Sequence, residues 1–331
     1  MRSVFYDRFG PATDVLNVDT IDTPPPVAGE VCVRLAFSGV NPSDIKARAG
    51  TRPGILKPPF PQVIPHSDGA GVIDAVGEGV NPDRIGTRVW IWNGQWRRAF
   101  GTASSHITLP AEQAVAMPDA VSFESGASLG IPGLTAAEAV FGAGEVAGKT
   151  LLVSGGGGTV GYLAVQLAVW GGARVIATCS ARDMDRVKVA GAETVLDYRS
   201  STLAEDIIAA NDGVLIDRVL EVEFGANVAM NAEVITQNGT IAAYGSQIDM
   251  TPTLPFGPLL FKAVTLDVIL IYLLPLAARQ GHIDGLHRAL TEGALQCPVA
   301  QVFLLEECAD AHEAVRAGGR VGAVLLDCGA V

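Results

Sequence analysis

Residues 150–161 read TLLVSGGGGTVG, and the rest of the chain is best understood outward from them. Thr150–Ser154 is a short apolar, β-rich run. Gly155, Gly158 and Gly161 follow at the spacing G-x-x-G-x-x-G, and the apolar segment YLAVQLAVW then runs to Gly171-Gly172. The pattern predicts strand, glycine turn and helix. Such a turn lets backbone approach a pyrophosphate closely, and the helix N-terminus turns N–H groups and a partial positive charge toward it. Gly155, Gly157, Gly158, Thr159, Val160 and Gly161 are therefore the expected phosphate cradle.

Context strengthens the motif. ARVIATCS (173–180) completes a unit of βαβ length. Strand-like runs recur at 194–198, 213–222 and 239–245, alternating with helix-like stretches at Asp183–Ala190, Thr202–Ala210 and Ala226–Thr236. This alternation predicts an α/β, doubly wound parallel sheet. NAD sites usually carry Asp or Glu at the end of the second strand. Here that strand ends Cys179-Ser180-Ala181-Arg182. A small hydroxyl and a guanidinium suit a 2′-phosphate, so NADPH is the expected cofactor, with Ser180 and Arg182 as contacts. Asp183 and Asp185 weaken the positive field. Tyr198 either covers the adenine or bonds the 2′-phosphate, or is simply a half-buried strand aromatic.

The chain has 331 residues, 49% of them hydrophobic, and a formal net charge of −12. Its length suits two domains. The acidic balance argues against a nucleic-acid partner. Five scattered cysteines without a C-x-x-C pair fit a reduced, cytoplasmic interior rather than a disulfide framework. No secretion signal is evident in MRSVFYDRFG. VILIYLLPLAA (268–278) falls far short of the ~20 residues needed to span a bilayer, and reads as a buried strand or a subunit contact. The first ~120 residues are rich in Gly, Pro and short β-like runs, which suggests a small irregular barrel or sandwich. Val121–Phe141 reads as helical, interrupted at Pro132-Gly133. The expected division is residues 1–123 with 263–331 in one domain and residues 124–262 in the other.

Several spaced stretches then point to one family: SGVNPSDIKARAG (38–50), VIPHSDGAGVIDAVGEGV (63–80), GTASSHITLPAEQAVAMPD (101–119), GASLGIPGLTAAEAV (126–140), SGGGGTVG (154–161) and AHEAV…VGAVLL (311–326). In this order they resemble the medium-chain dehydrogenase/reductase superfamily nearly end to end, and within it the zinc-free NADPH:quinone oxidoreductase branch. The resemblance implies a GroES-like catalytic domain, a Rossmann NADPH domain and a homodimer assembled through sheet edges. Where zinc-dependent members place a cysteine in G-x-C-x-x-D, this chain has Asn41. Ser67 stands at the histidine position, with His66 one place early, and Ile131 falls near the third ligand position. A catalytic zinc needs three His, Cys or carboxylate ligands, so no metal is expected.

The expected reaction is direct hydride transfer from NADPH to a quinone, with reduction of activated C=C bonds in enones, enoyl thioesters or haloacrylates as the alternative. A non-catalytic NADPH sensor is the alternative of another class. Asn41 stands at the superfamily's catalytic ligand position, although Asn-Pro also opens turns. Asp44 resembles the family's acid in the same pocket and equally suits a helix cap. Thr135 matches the threonine near the nicotinamide. Tyr244, Gly245 and Ser246 end a strand where open α/β sheets bind ligands. His66 is either an oxyanion donor or a structural histidine. WIWNGQWRRAFG (90–101) lines an aromatic pocket or forms an aromatic core hairpin. Glu221 and Glu223 have no role assignable from the sequence.

Overall fold

The computed structural model describes residues 1–52 and 54–329. The chain forms two compact units, Met1–Ile131 with Cys297–Val331, and Pro132–Gln296. Its strands are β1 (Arg2–Phe5), β2 (Asn17–Thr20), β3 (Glu30–Val40), β4 (Asp68–Val76), β5 (Arg88–Ile91), β6 (His106–Pro110), β7 (Ala114–Ala116), β8 (Thr150–Val153), β9 (Arg174–Cys179), β10 (Thr194–Asp197), β11 (Ile216–Glu221), β12 (Ile235–Ala243), β13 (Thr265–Val268), β14 (Val299–Leu304) and β15 (Ala323–Asp327).

In the first unit β1 and β2 form a hairpin, and a seven-stranded sheet runs β14-β15-β3-β4-β5-β7 with β6 added on β3. Strand β3 is long because it serves three antiparallel neighbours, β4, β6 and β15. Val31, Val33 and Leu35 alternate at zero exposure along it, and with Ile64, Ile73, Val89, Ile107 and Leu326 they make one core. That period of two is what a strand facing a core requires.

The second unit is the predicted parallel sheet, in the order β10-β9-β8-β11-β12-β13, every pair parallel. Helices cover parallel sheets on both faces, which explains the unbroken apolar run at Leu151, Leu152 and Val153, all fully buried. The helix Thr159–Trp170 is buried from Gly161 through Ala168. Chain direction across the sheet reverses between β8 and β11, the place where such sheets bind ligands.

Three sequence expectations differ from the structure. The units divide at 131/132 and 296/297 rather than at 123/124 and 262/263. The second boundary moves because β13 joins β12 as the sixth parallel strand and the helix Leu276–Thr291 follows it within the same unit. The segment 268–278 is not a buried strand: Val268 is 74% exposed, and Leu270, Leu273 and Leu276 are all about half exposed. Finally, Val121–Phe141 is interrupted at Pro132-Gly133 as expected, in a π-helical turn Leu129–Gly133 that precedes the helix Leu134–Phe141, but it is also broken a first time after the short helix Phe123–Gly126. No described helix is long and apolar enough to cross a membrane.

Candidate cofactor and active site

The glycine turn sits at the end of β8. Gly155 takes a left-handed φ of +71°, which favours glycine. Its N–H reaches Thr178 Oγ1 at 3.3 Å, and Gly156 N–H donates to Thr178 O at 2.8 Å, so β9 anchors the turn. Gly158 is extended and caps the helix Thr159–Trp170, whose first turn holds no acid. A Cβ on Gly161 would lie 2.2 Å from Gly155 O, and one on Gly157 would lie 2.9 Å from Asp183 Cβ. Loop and helix therefore pack backbone to backbone. The cradle spans Gly155, Gly157, Gly158, Thr159, Val160 and Gly161, with the first N–H groups of the helix beyond reach of any acceptor in their own helix.

At the end of β9, Ser180 Oγ donates to Asp183 Oδ2 at 2.6 Å and Arg182 Nε donates to the same oxygen at 3.3 Å. Burial pushes the Asp183 carboxyl up, but the bonds from Ser180, Arg182 and Arg186 outweigh it and hold the group below the usual range. Asp183 is thus tucked beneath Gly157 as a neutralised strut. The Arg182 side chain stays 61% exposed. Tyr198 N–H bonds Cys179 O, which puts this half-exposed ring beside Ser180, with the Arg199 guanidinium 4.9 Å above it. Arg186 was not expected: it donates to Gly157 O and lies 4.9 Å over the Tyr162 ring, where it braces the glycine loop. Its position two turns after the strand carried no motif.

The acids at the end of β11 now have a role. Glu221 is fully buried and accepts from Glu223 N–H (2.7 Å), Asn227 Nδ2 (3.0 Å) and Asn231 Nδ2 (2.9 Å). Glu223 accepts from Gln247 and Ile248 N–H at 2.8 to 2.9 Å and from Ser246 Oγ at 3.3 Å. Together they fasten the Tyr244-Gly245-Ser246 turn beside the switch point. Gly245 abuts Val222, whose other side meets Gly155. The Tyr244 hydroxyl is buried without a hydrogen-bond partner among the described residues, and burial followed by Glu221 pushes its pKa well up. Thr135 is buried on the helix Leu134–Phe141 of the same unit.

In the first unit Asn41 precedes the helix Pro42–Ala49. Its N–H donates to Asp44 Oδ2 at 2.8 Å and its Nδ2 donates to Asp68 Oδ2 at 2.8 Å. Asp44 is therefore a cap that fixes the Asn41 backbone. Burial raises its pKa to about 7, against smaller opposing effects of Asn41 and Arg52. Asp68 is pushed well up by burial and by Asp44. His66 is fully buried at φ 76°, with Nδ1 2.9 Å from Ser38 Oγ and Nε2 2.8 Å from His312 Nε2. Burial and His312 hold it neutral, so it is a satisfied core group. Trp90 and Trp92 are buried in the core, whereas Trp96 is partly exposed.

The sequence matches two family profiles: an alcohol dehydrogenase GroES-like domain over residues 27–119 and a zinc-binding dehydrogenase over 159–281. A quinone-oxidoreductase homolog from Spinacia oleracea is 28% identical over 99% of this chain and 98% of its own. Quinone oxidoreductase from Homo sapiens is 28% identical over 98% and 97%. Among solved structures, an NAD-dependent alcohol dehydrogenase superposes with a TM-score of 0.87 at 28% identity, covering 99% of both chains. A mycobacterial protein complexed with NADPH superposes at 0.86 and 26% identity, covering 98% of this chain and 99% of its own.

The chain belongs to the medium-chain dehydrogenase/reductase superfamily. It is an oxidoreductase, built on the GroES-like and Rossmann units that this superfamily shares. Because one profile is described as zinc-binding, the donors need testing. The superfamily's ligand positions here hold an amide (Asn41), a hydroxyl (Ser67) and an apolar side chain (Ile131), a set that does not fit zinc. A separate buried trio, His66, Cys308 and His312, has ligand atoms within 4.8 Å of one another. Its imidazoles already bond each other, and burial pushes the Cys308 thiol far up, away from the thiolate a metal takes.

Proposed function

We infer that this oxidoreductase transfers hydride from NADPH to a quinone without a metal. The observation that carries the reading is the cradle at the switch point. Its glycines leave room only for backbone, its helix offers N–H groups without a competing acid, and Tyr244 holds a buried hydroxyl in want of a partner. When bound, the dinucleotide supplies a hydride; the protein supplies grip and orientation. Arg182 and Tyr198 lie at adjacent strand ends and suit a 2′-phosphate, while Asp183, turned under the loop and neutralised, is not free to bond a ribose diol. The Glu223-fastened turn suits the nicotinamide ribose, and Thr135 suits the ring.

Asn41 is the group assigned to the acceptor. One amide N–H is held by Asp68; the second is a donor for oxygen charge that grows as hydride arrives. Asp44 acts as a positioning residue through the Asn41 backbone. Assembly as a homodimer is supported by the apolar exposed edge at β13, whose outer side pairs with no described strand. Four of the five unpaired cysteines are buried, which suits a reducing cytoplasm.

The test is an acceptor panel of quinones, enones and enoyl thioesters with NADPH and NADH, before and after chelation. Quinone turnover that survives chelation is expected. Arg182→Ala should weaken NADPH about tenfold and spare NADH, the loss of one charge-assisted contact. Equal weakening of both removes Arg182 from the phosphate. Preferential turnover of enones moves the substrate to activated alkenes.

A further inference from the structure

We propose that the natural acceptor is a flat aromatic ring carrying an anionic substituent, and that Arg52 and Arg97 bind that substituent in an aromatic cavity at the end of the helix Pro42–Ala49. The proposal rests on the oxidoreductase reading above and names the acceptor class.

The cavity lies wholly within the first unit and holds about 160 Å³. A volume of about 150 Å³ suffices for a benzene ring. Tyr6, Phe9 and Trp96 give it flat walls, with Gln95 beside them. The Phe9 ring can lie against the helix end because Gly50 has no side chain; a Cβ there would sit 2.4 Å from Phe9 Cδ2. Two guanidiniums complete the lining. Arg97 stands 5.5 Å over the Trp96 ring, on a backbone held at φ 58°. A left-handed non-glycine residue is strained, and strain of this kind concentrates at binding sites. Arg52 reaches back along the helix, donating from Nη2 to Ser43 O at 3.0 Å.

The charge balance singles out an anion. The lining contains no carboxylate, and among the described residues neither arginine lies within ion-pair distance of one. In a chain of net charge −12, two guanidiniums in one aromatic cavity, with Asp44 acting on Arg52 only from beyond ion-pair distance, form a local reversal of sign. Guanidinium forks match carboxylate or sulfonate. The helix is eight residues long, about 12 Å, and Asn41 stands at its other end. Arg52, bonded to Ser43 O in the first turn, spans the length between them, and on this proposal the ligand's carbonyl faces Asn41 and its anionic group faces the two arginines. In the reaction the quinone gains the hydride and one solvent proton to become hydroquinone, NADPH leaves as NADP⁺, and the anionic substituent is unchanged.

The experiment compares ortho-naphthoquinone with its sulfonate as acceptors for NADPH, in the wild type, Arg97→Ala and Arg52→Ala. The wild type should have a KM about tenfold lower for the sulfonate. Each substitution should raise that KM about tenfold and leave the neutral quinone within about twofold, and added salt should erode the preference. Equal KM values in the wild type, or equal effects of the substitutions on both quinones, overturn the proposal while the hydride-transfer reading stands. If no acceptor turns over although NADPH binds, the hydride-transfer reading fails instead. Calorimetry with naphthalenesulfonate and naphthalenemethanol then decides the cavity: binding of the sulfonate that Arg97→Ala abolishes supports it, and no binding or equal binding overturns it. Circular dichroism confirms that the variants fold.

Discussion

The same substitution in two helices should have opposite signs, and the contrast isolates what the glycine cradle does. Alanine stabilises an exposed helix interior by about 1 kcal/mol relative to glycine. Gly281, in the exposed part of the helix Leu276–Thr291, has nothing within 4 Å of where a Cβ would stand. Gly281→Ala should therefore stabilise the protein by about that amount. Gly161 also lies within a helix, yet its Cβ would sit 2.2 Å from Gly155 O, where ordinary contact begins at 3.4 Å. Helix and loop must part by 1.2 Å to accept it. Overpacking of this order costs about 1–3 kcal/mol, which offsets the propensity gain and reverses the sign. It also moves the N–H groups proposed to hold the pyrophosphate, so on that proposal NADPH affinity should fall at least about tenfold. Urea unfolding without cofactor and fluorescence titration with NADPH measure the two effects separately. If Gly161→Ala binds NADPH as tightly as the wild type and is no less stable, the close-approach argument is wrong.

Asp44 gives a pH signature. Its carboxyl rises from 3.8 to about 7 on burial, so the folded state keeps a proton that the unfolded chain releases. The resulting stability is complete below about pH 4 and is lost as pH climbs through about 7, on the order of 4 kcal/mol from about 1.4 kcal/mol per unit. Asp44→Asn should flatten that decline in urea midpoints between those limits; parallel profiles for variant and wild type would contradict it. Glu223→Gln should loosen the turn at Tyr244–Ser246, which hangs on charge-assisted bonds. A loss of about 2 kcal/mol in unfolding and weaker NADPH binding are expected, and unchanged binding would show that the turn holds without the carboxylate.

The parallel sheet was legible because its signals are local: an apolar run, a glycine turn and a helix repeat within short windows, and Ser180, Arg182 and Tyr198 inherit their places from strand ends. The return to the first unit was not legible. Residues 265–278 are apolar enough to join either sheet, and only pairing with β12, more than twenty residues back, decides it. Glu221 and Glu223 were opaque for a similar reason. Their partners are asparagines further along a helix and backbone N–H groups some 24 residues away, which leave no spacing pattern. The His66–His312 contact spans 246 positions. The tryptophan segment divided between both readings, since Trp90 and Trp92 face the core while Trp96 faces the cavity.

The first unit takes its sheet from both termini, with β15 lying between β14 and β3. Pro132–Gln296, by contrast, is continuous. As the chain leaves the ribosome, the nucleotide-binding half can close while its companion still waits for its last strand. Residues 37–40, a part of β3 that β6 does not cover, then remain an unpaired template on one side until residues 323–327 emerge. In a cell, that interval is when this protein is most open to chaperones and to wrong strand partners.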